Sequence, residues 1–204
     1  MTSTRSPSPP PLPQTRAALD RRRKLIISST VPIGLVIALL VVLRATDLMR
    51  LFSIPTGAMA PTVSAGDHVV MEGLTYCVRN PRRGDITVFK TDGIPSVPPA
   101  QIYFKRLVGE PGERVRISGG KVYINDAAVS LSNDAGEIVY TLPPSAERMA
   151  TETDVIVPPG QYYMLGDNST NSYDSRFWGF VPASNVLGRV VFRFWPPQRI
   201  GGVR

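Results

Sequence analysis

Covalent chemistry in this 204-residue chain has few groups to draw on: one histidine, one cysteine, and a set of hydroxyls and lysines. His68 stands in the strand-like "GDHVVM" with no nucleophile elbow near it, and reads as a surface or strand-edge residue rather than a triad member. One imidazole cannot build a His-rich zinc site. Cys77 alone makes neither an intrachain disulfide nor a cysteine metal site. Without a useful histidine, a hydroxyl nucleophile needs another base, and lysine is the known substitute.

Lys105, in "QIYFKRLVGEPGERV", is the lysine whose surroundings suit that task. On a strand over 102–108, Tyr103, Lys105 and Leu107 share one face, while Ile102, Phe104 and Val108 share the other. Lys105 then projects among apolar groups. A free lysine titrates near ~10.4, so a base at neutral pH needs a drop of about three units, roughly 4 kcal/mol. Desolvation of the ammonium can supply it. The other reading of the same pattern is an ordinary strand lysine that snorkels to water. A second polar concentration is "MLGDNSTNSYDSRFWG", residues 164–179, where Asp167, Asp174 and Arg176 offer ion pairs. By itself it also reads as a turn capped by its own side chains. A third is "SIPTGAMAPT", residues 53–62, framed by prolines, with Met59 reading as exposed.

The elements that must position these groups are strands. "DHVVME", "DITVFK", "IYFKRLV", "RVRISGGKVYIND", "EIVYTL", "TDVIVPPGQYYMLGD" and "VLGRVVFRFWPP" are rich in Val, Ile, Tyr and Phe and are punctuated by Gly, Pro or Asp. Gly119–Gly120 reads as a hairpin turn. The expected fold class is mainly β: an antiparallel domain over 44–204. Ahead of it, residues 1–24 form a Pro-rich, basic tail expected to be disordered. Residues 25–43 carry no charge, and about 19 residues at ~1.5 Å each reach roughly 28 Å, close to a bilayer core. Arg16, Arg21, Arg22, Arg23 and Lys24 precede this run, which predicts a single span with a cytoplasmic N-terminus and an extracytoplasmic domain. The same cluster accounts for much of the formal charge of +7, so nucleic acid is not the expected partner; the lipid bilayer is.

"IPTGAMAPTVSAGDHV", "RGDITVFK", "YFKRLVGEPGERVRI" and "MLGDNSTNSYDSRFWGFVP", in this order after an N-terminal apolar run, resemble bacterial signal peptidase I over about residues 48–196. That family comprises membrane-bound serine/lysine endopeptidases that remove signal peptides from exported preproteins. The resemblance implies a membrane-tethered β domain, signal peptides as substrates, and a site close to the outer leaflet. It makes Lys105 the general base and Ser172 its hydroxyl partner, with Asp174 and Arg176 as a supporting pair and Asp167 and Asn168 shaping the loop. Thr56 falls at the side-chain donor of the oxyanion hole, with the N–H of residue 58 as the second donor. Phe52, Ile54, Met59 and Val63 match positions near shallow subsites that accept small side chains.

Two positions depart from the family pattern. Glu113 stands in "PGER" where Asp is usual, and Ala58 stands where "PSGSMxPT" places the nucleophilic serine. On an extended chain Thr56 and Ala58 point the same way but lie roughly 7 Å apart, too far for Thr56 to substitute without a shifted backbone. Ser53 and Ser64 are worse placed. Loss of the nucleophile costs ~10⁶ in turnover in the subtilisin series. Three explanations follow: an otherwise intact enzyme that has lost its nucleophile, a non-catalytic homologue acting as a membrane-anchored peptide-binding or scaffold module, or a takeover by Thr56.

Overall fold

β-Branched and aromatic runs broken by turn residues become short antiparallel strands wherever neighbouring runs can bury their alternate side chains. The computed structural model describes residues 21, 31–42, 44–46, 48–133, 135–141 and 154–203. The chain divides into two compact units, Met1–Ala45 and Thr46–Arg204. In the first, residues 31–42 are helical. The rest of the expected span, residues 25–30 and Leu43, lies outside the described residues. Among the described residues no helix is long and apolar enough to cross a membrane.

The second unit carries the strands β1 (Met49–Ser53), β2 (His68–Glu72), β3 (Ile86–Lys90), β4 (Ile102–Gly109), β5 (Arg114–Ser118), β6 (Lys121–Ile124) and β7 (Ala127–Val129). They continue with β8 (Ser132–Asn133), β9 (Gly136–Glu137), β10 (Asp154–Ile156), β11 (Gln161–Leu165), β12 (Val181–Pro182), β13 (Val186–Trp195) and β14 (Gly201–Gly202). The larger sheet runs β1-β2-β13-β3-β4-β11-β12, with β14 on β13, and a smaller one runs β10-β5-β6-β7. The pairings are antiparallel. At the turn between β5 and β6, Gly119 and Gly120 have φ of 58° and 79°. Both are left-handed, as the tightest hairpin turn requires, so the expected turn is present.

"EIVYTL" differs from its reading as a strand. Only Gly136–Glu137 joins a ladder, with Ser132–Asn133. Ile138 and Tyr140 donate single N–H bonds to the carbonyls of Leu131 and Gly120. Leu142 lies outside the described residues. His68 starts β2, between β1 and β13, where its ring meets Phe194 edge-on at 5.7 Å.

The two sheets meet along β4. Leu107 joins Phe89, Met164 and Trp178 in one core cluster, while Val108 joins Val115, Val122 and Tyr163 in another. Because both faces of this half of β4 are covered, its polar side chains must be buried as well. This is the local circumstance that shapes the candidate site.

Candidate active site

Lys105 lies in the middle of the larger sheet, opposite Thr87 of β3, and is 4% exposed. Its Nζ donates to Ser172 Oγ at 2.8 Å. Among the described residues no carboxylate pairs directly with it. Burial of the ammonium pushes its pKa down, Asp174 pushes it up, Arg176 down and Asp167 up; the balance lies at about 8. A buried amine whose nearest partner is a hydroxyl can take that hydroxyl's proton in the neutral pH range. Of the two readings open in the sequence, the snorkelling lysine is therefore not what the structure shows.

Ser172 is held by the loop between β11 and the short helix Ser175–Trp178. Asp174 caps that helix by accepting from the Arg176 N–H, and it pairs with the Arg176 guanidinium at 2.7 Å. Asp174 Oδ2 also accepts the Gly166 N–H at 3.0 Å. Arg176 donates further to the Thr141 carbonyl, Ser169 Oγ and the Ser169 carbonyl. Both charged side chains are fully buried, so these bonds replace the water that each lost. A methyl group at residue 166 would run into Ser172 Oγ, and would meet the Ala58 carbonyl oxygen at 2.6 Å. Gly166 thus lets residue 58 and Ser172 approach each other across the loop.

Residues 57–62 turn rather than extend: the Ala60 N–H donates to the Gly57 carbonyl and the Val63 N–H to the Met59 carbonyl. The extended geometry assumed for Thr56 and Ala58 is thereby corrected. Asn168 holds this turn, donating its side-chain N–H to Gly57 O at 3.0 Å and its backbone N–H to Ala58 O at 3.1 Å. Ile54, Thr56, Ala58, Met59, Lys105 and Ser172 all line one groove of about 660 Å³. Met59, read as exposed, is 2% exposed, because its backbone bridge to Val63 turns it inward. That bridge also takes Val63 away from the groove and into the core with Val69 and Met71. Phe52 stands against Phe104, ring centroids 5.3 Å apart, and like Val63 is not among the groove-lining residues.

Three residues at the site have no role in the sequence reading. Arg106 makes a two-pronged ion pair with Asp167, Nε to Oδ1 at 2.7 Å and Nη2 to Oδ2 at 2.6 Å. Thr62 Oγ1 donates to the same carboxylate, and Gly166 allows the close approach described above. Asp167 was expected in an ion pair with a loop neighbour; its partner is instead on β4. A charged pair of side chains on successive strand residues, Lys105 and Arg106, was the available signal: one of the two has to face inward on either side. Glu113, at the departure from the family's Asp, accepts from Arg83 at 2.6 Å and from the Glu110 N–H at 2.7 Å. The longer carboxylate therefore has two donors here.

A family model described as signal peptidase, peptidase S26, matches residues 27–195. The chain is similar to a probable signal peptidase I-2 of Synechocystis sp., 40% identical over 149 residues, which is 72% of this chain and 64% of that relative. It is similar to a signal peptidase I of Leptolyngbya laminosa, 36% identical over 199 residues, covering 96% of this chain and 92% of that one. A solved signal peptidase I structure from Enterococcus faecalis is 32% identical, with a TM-score of 0.39 over 55% of this chain and 97% of the other.

Proposed function

The chain belongs to the signal peptidase family, peptidase S26, and from that premise we propose that its groove receives the cleavage region of a signal peptide and presents it to Lys105. Ala58 occupies the position from which the attack would come. The observation that carries this reading is the Lys105–Ser172 hydrogen bond of 2.8 Å on the groove lining. It is what a serine/lysine endopeptidase requires of its base: a buried amine oriented by a hydroxyl. Asp174 and Arg176 keep Ser172 in place, Thr56 is the side-chain oxyanion donor, and Ile54 and Met59 shape the subsites for small side chains. No metal or cofactor takes part in this chemistry.

The chain works from the outer face of the cytoplasmic membrane, tethered by residues 25–43 with the basic tail inside. The support is the uncharged run and the arginines that precede it. The substrates are N-terminal signal peptides of exported preproteins, and nucleic acid has no part in it. With Ala58 the chain binds such a peptide and cleaves it at no more than a trace rate.

The test is cleavage, in detergent, of a precursor with Ala at the first and third positions before the cut. Ala58→Ser should raise the rate by several orders of magnitude, about 10⁴-fold or more by the cost of a missing nucleophile. Adding Lys105→Ala should abolish the gain. Because the neutral amine is the base, the gained activity should rise with pH and level off above about 8. A second reading, a membrane-anchored binding module, is favoured by Ala58 itself. It takes the lead if Ala58→Ser gains nothing while the peptide still binds. Brisk cleavage by the unaltered chain, lost in Thr56→Val, would instead make Thr56 the nucleophile.

A further inference from the structure

With alanine at residue 58, the base is left in contact with one hydroxyl, and that hydroxyl is itself on the groove. Lys105 Nζ and Ser172 Oγ are 2.8 Å apart, and among the described residues Ser172 is the only hydrogen-bond partner of the amine. Ser172 is 6% exposed and lines the same groove as Thr56 and Ala58. When Lys105 is neutral, the contact runs the other way, with Ser172 Oγ–H donating to the nitrogen lone pair. Such a hydrogen bond is the starting geometry for general-base activation of an alcohol. We propose that in this chain Ser172 is a nucleophile in its own right, accepting small activated acyl groups from esters that enter the groove. The idea rests on the reading of Lys105 as a base, and goes beyond signal-peptide processing.

The surroundings decide the substrate class. The Gly166 N–H is already given to Asp174 Oδ2 at 3.0 Å, and the Asn168 N–H to the Ala58 carbonyl at 3.1 Å. These two loop N–H groups are thus unavailable to an oxyanion forming over Ser172. A missing oxyanion donor slows acyl transfer by about 10²–10³-fold, which an amide leaving group cannot make up. An ester with a good leaving group needs that help least. The low exposure of Ser172 further limits the acyl group to a small one, such as acetyl.

The step balances within the site and water. Ser172 Oγ gives its proton to Nζ and forms a bond to the acyl carbon, while the bond to the leaving oxygen breaks and a phenolate departs. The ammonium then returns its proton to solvent. In the second half, water loses a proton to Nζ as it adds to the acyl carbon, the carbon–Oγ bond breaks, and Oγ is reprotonated. One ester and one water yield one phenol and one carboxylic acid.

The experiment uses the full chain in detergent at pH 8 with p-nitrophenyl acetate, following nitrophenolate release and mapping the acetyl group by peptide mass spectrometry. The expected result is a single acetyl group on Ser172. Its formation should slow about 10²-fold in Lys105→Met, the scale of a lost general base. Ser172→Ala should lose that label altogether. If Ser172→Ala fails to fold, Ser172→Cys serves instead, and its thiol should take up acetyl faster than the hydroxyl. Acetyl found on Lys105, or no acetyl on Ser172 above the heat-unfolded control, overturns the inference. Precursor cleavage by Ala58→Ser is measured alongside. Cleavage without Ser172 acetylation sinks this inference alone, whereas acetylation without cleavage sinks the peptidase reading alone.

Discussion

Replacing Lys105 by methionine should make the protein more stable at neutral pH, and the structure fixes both the size and the pH window of the gain. The unfolded chain holds its lysine proton up to about 10.4, the ordinary value. The folded site releases it at about 8, chiefly because burial penalises the ammonium. Between these values the unfolded state binds more protons, so stability rises with pH through this window. Below about 8 the folded protein bears the full penalty, about 3 kcal/mol at 1.36 kcal/mol per unit. Above about 10.4 the penalty is gone. Methionine matches the length of the lysine stem and removes the charge, but it also removes the bond to Ser172 Oγ, worth about 1 kcal/mol. The expected net gain at pH 7 is therefore about 2 kcal/mol, seen as a rise in Tm of roughly 4–8 °C for a domain of this size. At pH 10.5 the sign should reverse, because only the lost hydrogen bond remains. The assay is thermal unfolding of the full chain and of Lys105→Met in the same detergent, by near-ultraviolet circular dichroism at both pH values. A stability difference that does not change with pH would refute the argument, since it would mean that the amine keeps its ordinary pKa in the folded state.

Two further substitutions probe the scaffold around the amine. Gly166→Ala should destabilise the protein by about 1–3 kcal/mol, as overpacking does, and should abolish precursor cleavage in the Ala58→Ser background. The added methyl group displaces Ser172 Oγ and the Ala58 carbonyl together, and an unchanged cleavage rate would contradict that close approach. Asp167→Asn removes the carboxylate charge from the two-pronged pair with the Arg106 guanidinium, which is 3% exposed. Breaking a buried pair from one side costs about 3–5 kcal/mol, so denaturant unfolding should show a loss of at least about 3 kcal/mol.

The strands were legible because apolar alternation and turn residues report burial directly, and the hairpin at Gly119–Gly120 was legible because its turn demands positive φ. "EIVYTL" shows where that signal ends. Its alternation is real, with Ile138 and Tyr140 buried and Val139 59% exposed, but alternation reports faces and not whether a neighbouring strand supplies a ladder. Lys105 was legible as a candidate only through its face. Its burial depends on β3, β11 and the 166–176 loop closing around β4, which no local pattern encodes. The same non-local closure hid Arg106, whose partner Asp167 lies 61 residues away in sequence. Met59 lines the groove as the resemblance implied, but it is 2% exposed and Val63 packs in the core, because a turn at 57–62 sends both side chains inward.

The bonds that hold residue 58 explain why its side chain can change without disturbing the turn that carries it. The described bond from the loop to this residue ends on its backbone carbonyl, through the Asn168 N–H, and the neighbouring one ends on the Gly57 carbonyl. The turn at 57–62 is likewise closed by main-chain bonds. The side chain at position 58 contributes no hydrogen bond to any of this, so serine and alanine should be accepted there at nearly equal stability. By contrast, Ser172, Asp174, Arg176, Asp167 and Arg106 are bonded through their side chains and cannot be altered without leaving a buried partner unsatisfied. The fold thus constrains Lys105, Ser172 and their neighbours through side-chain bonds, while the described bonds to residue 58 leave its side chain free to change. Under the proposed function, an intact Lys105–Ser172 pair marks what the groove is built to do, and precursor cleavage by this chain would turn on the single oxygen that Ala58 lacks.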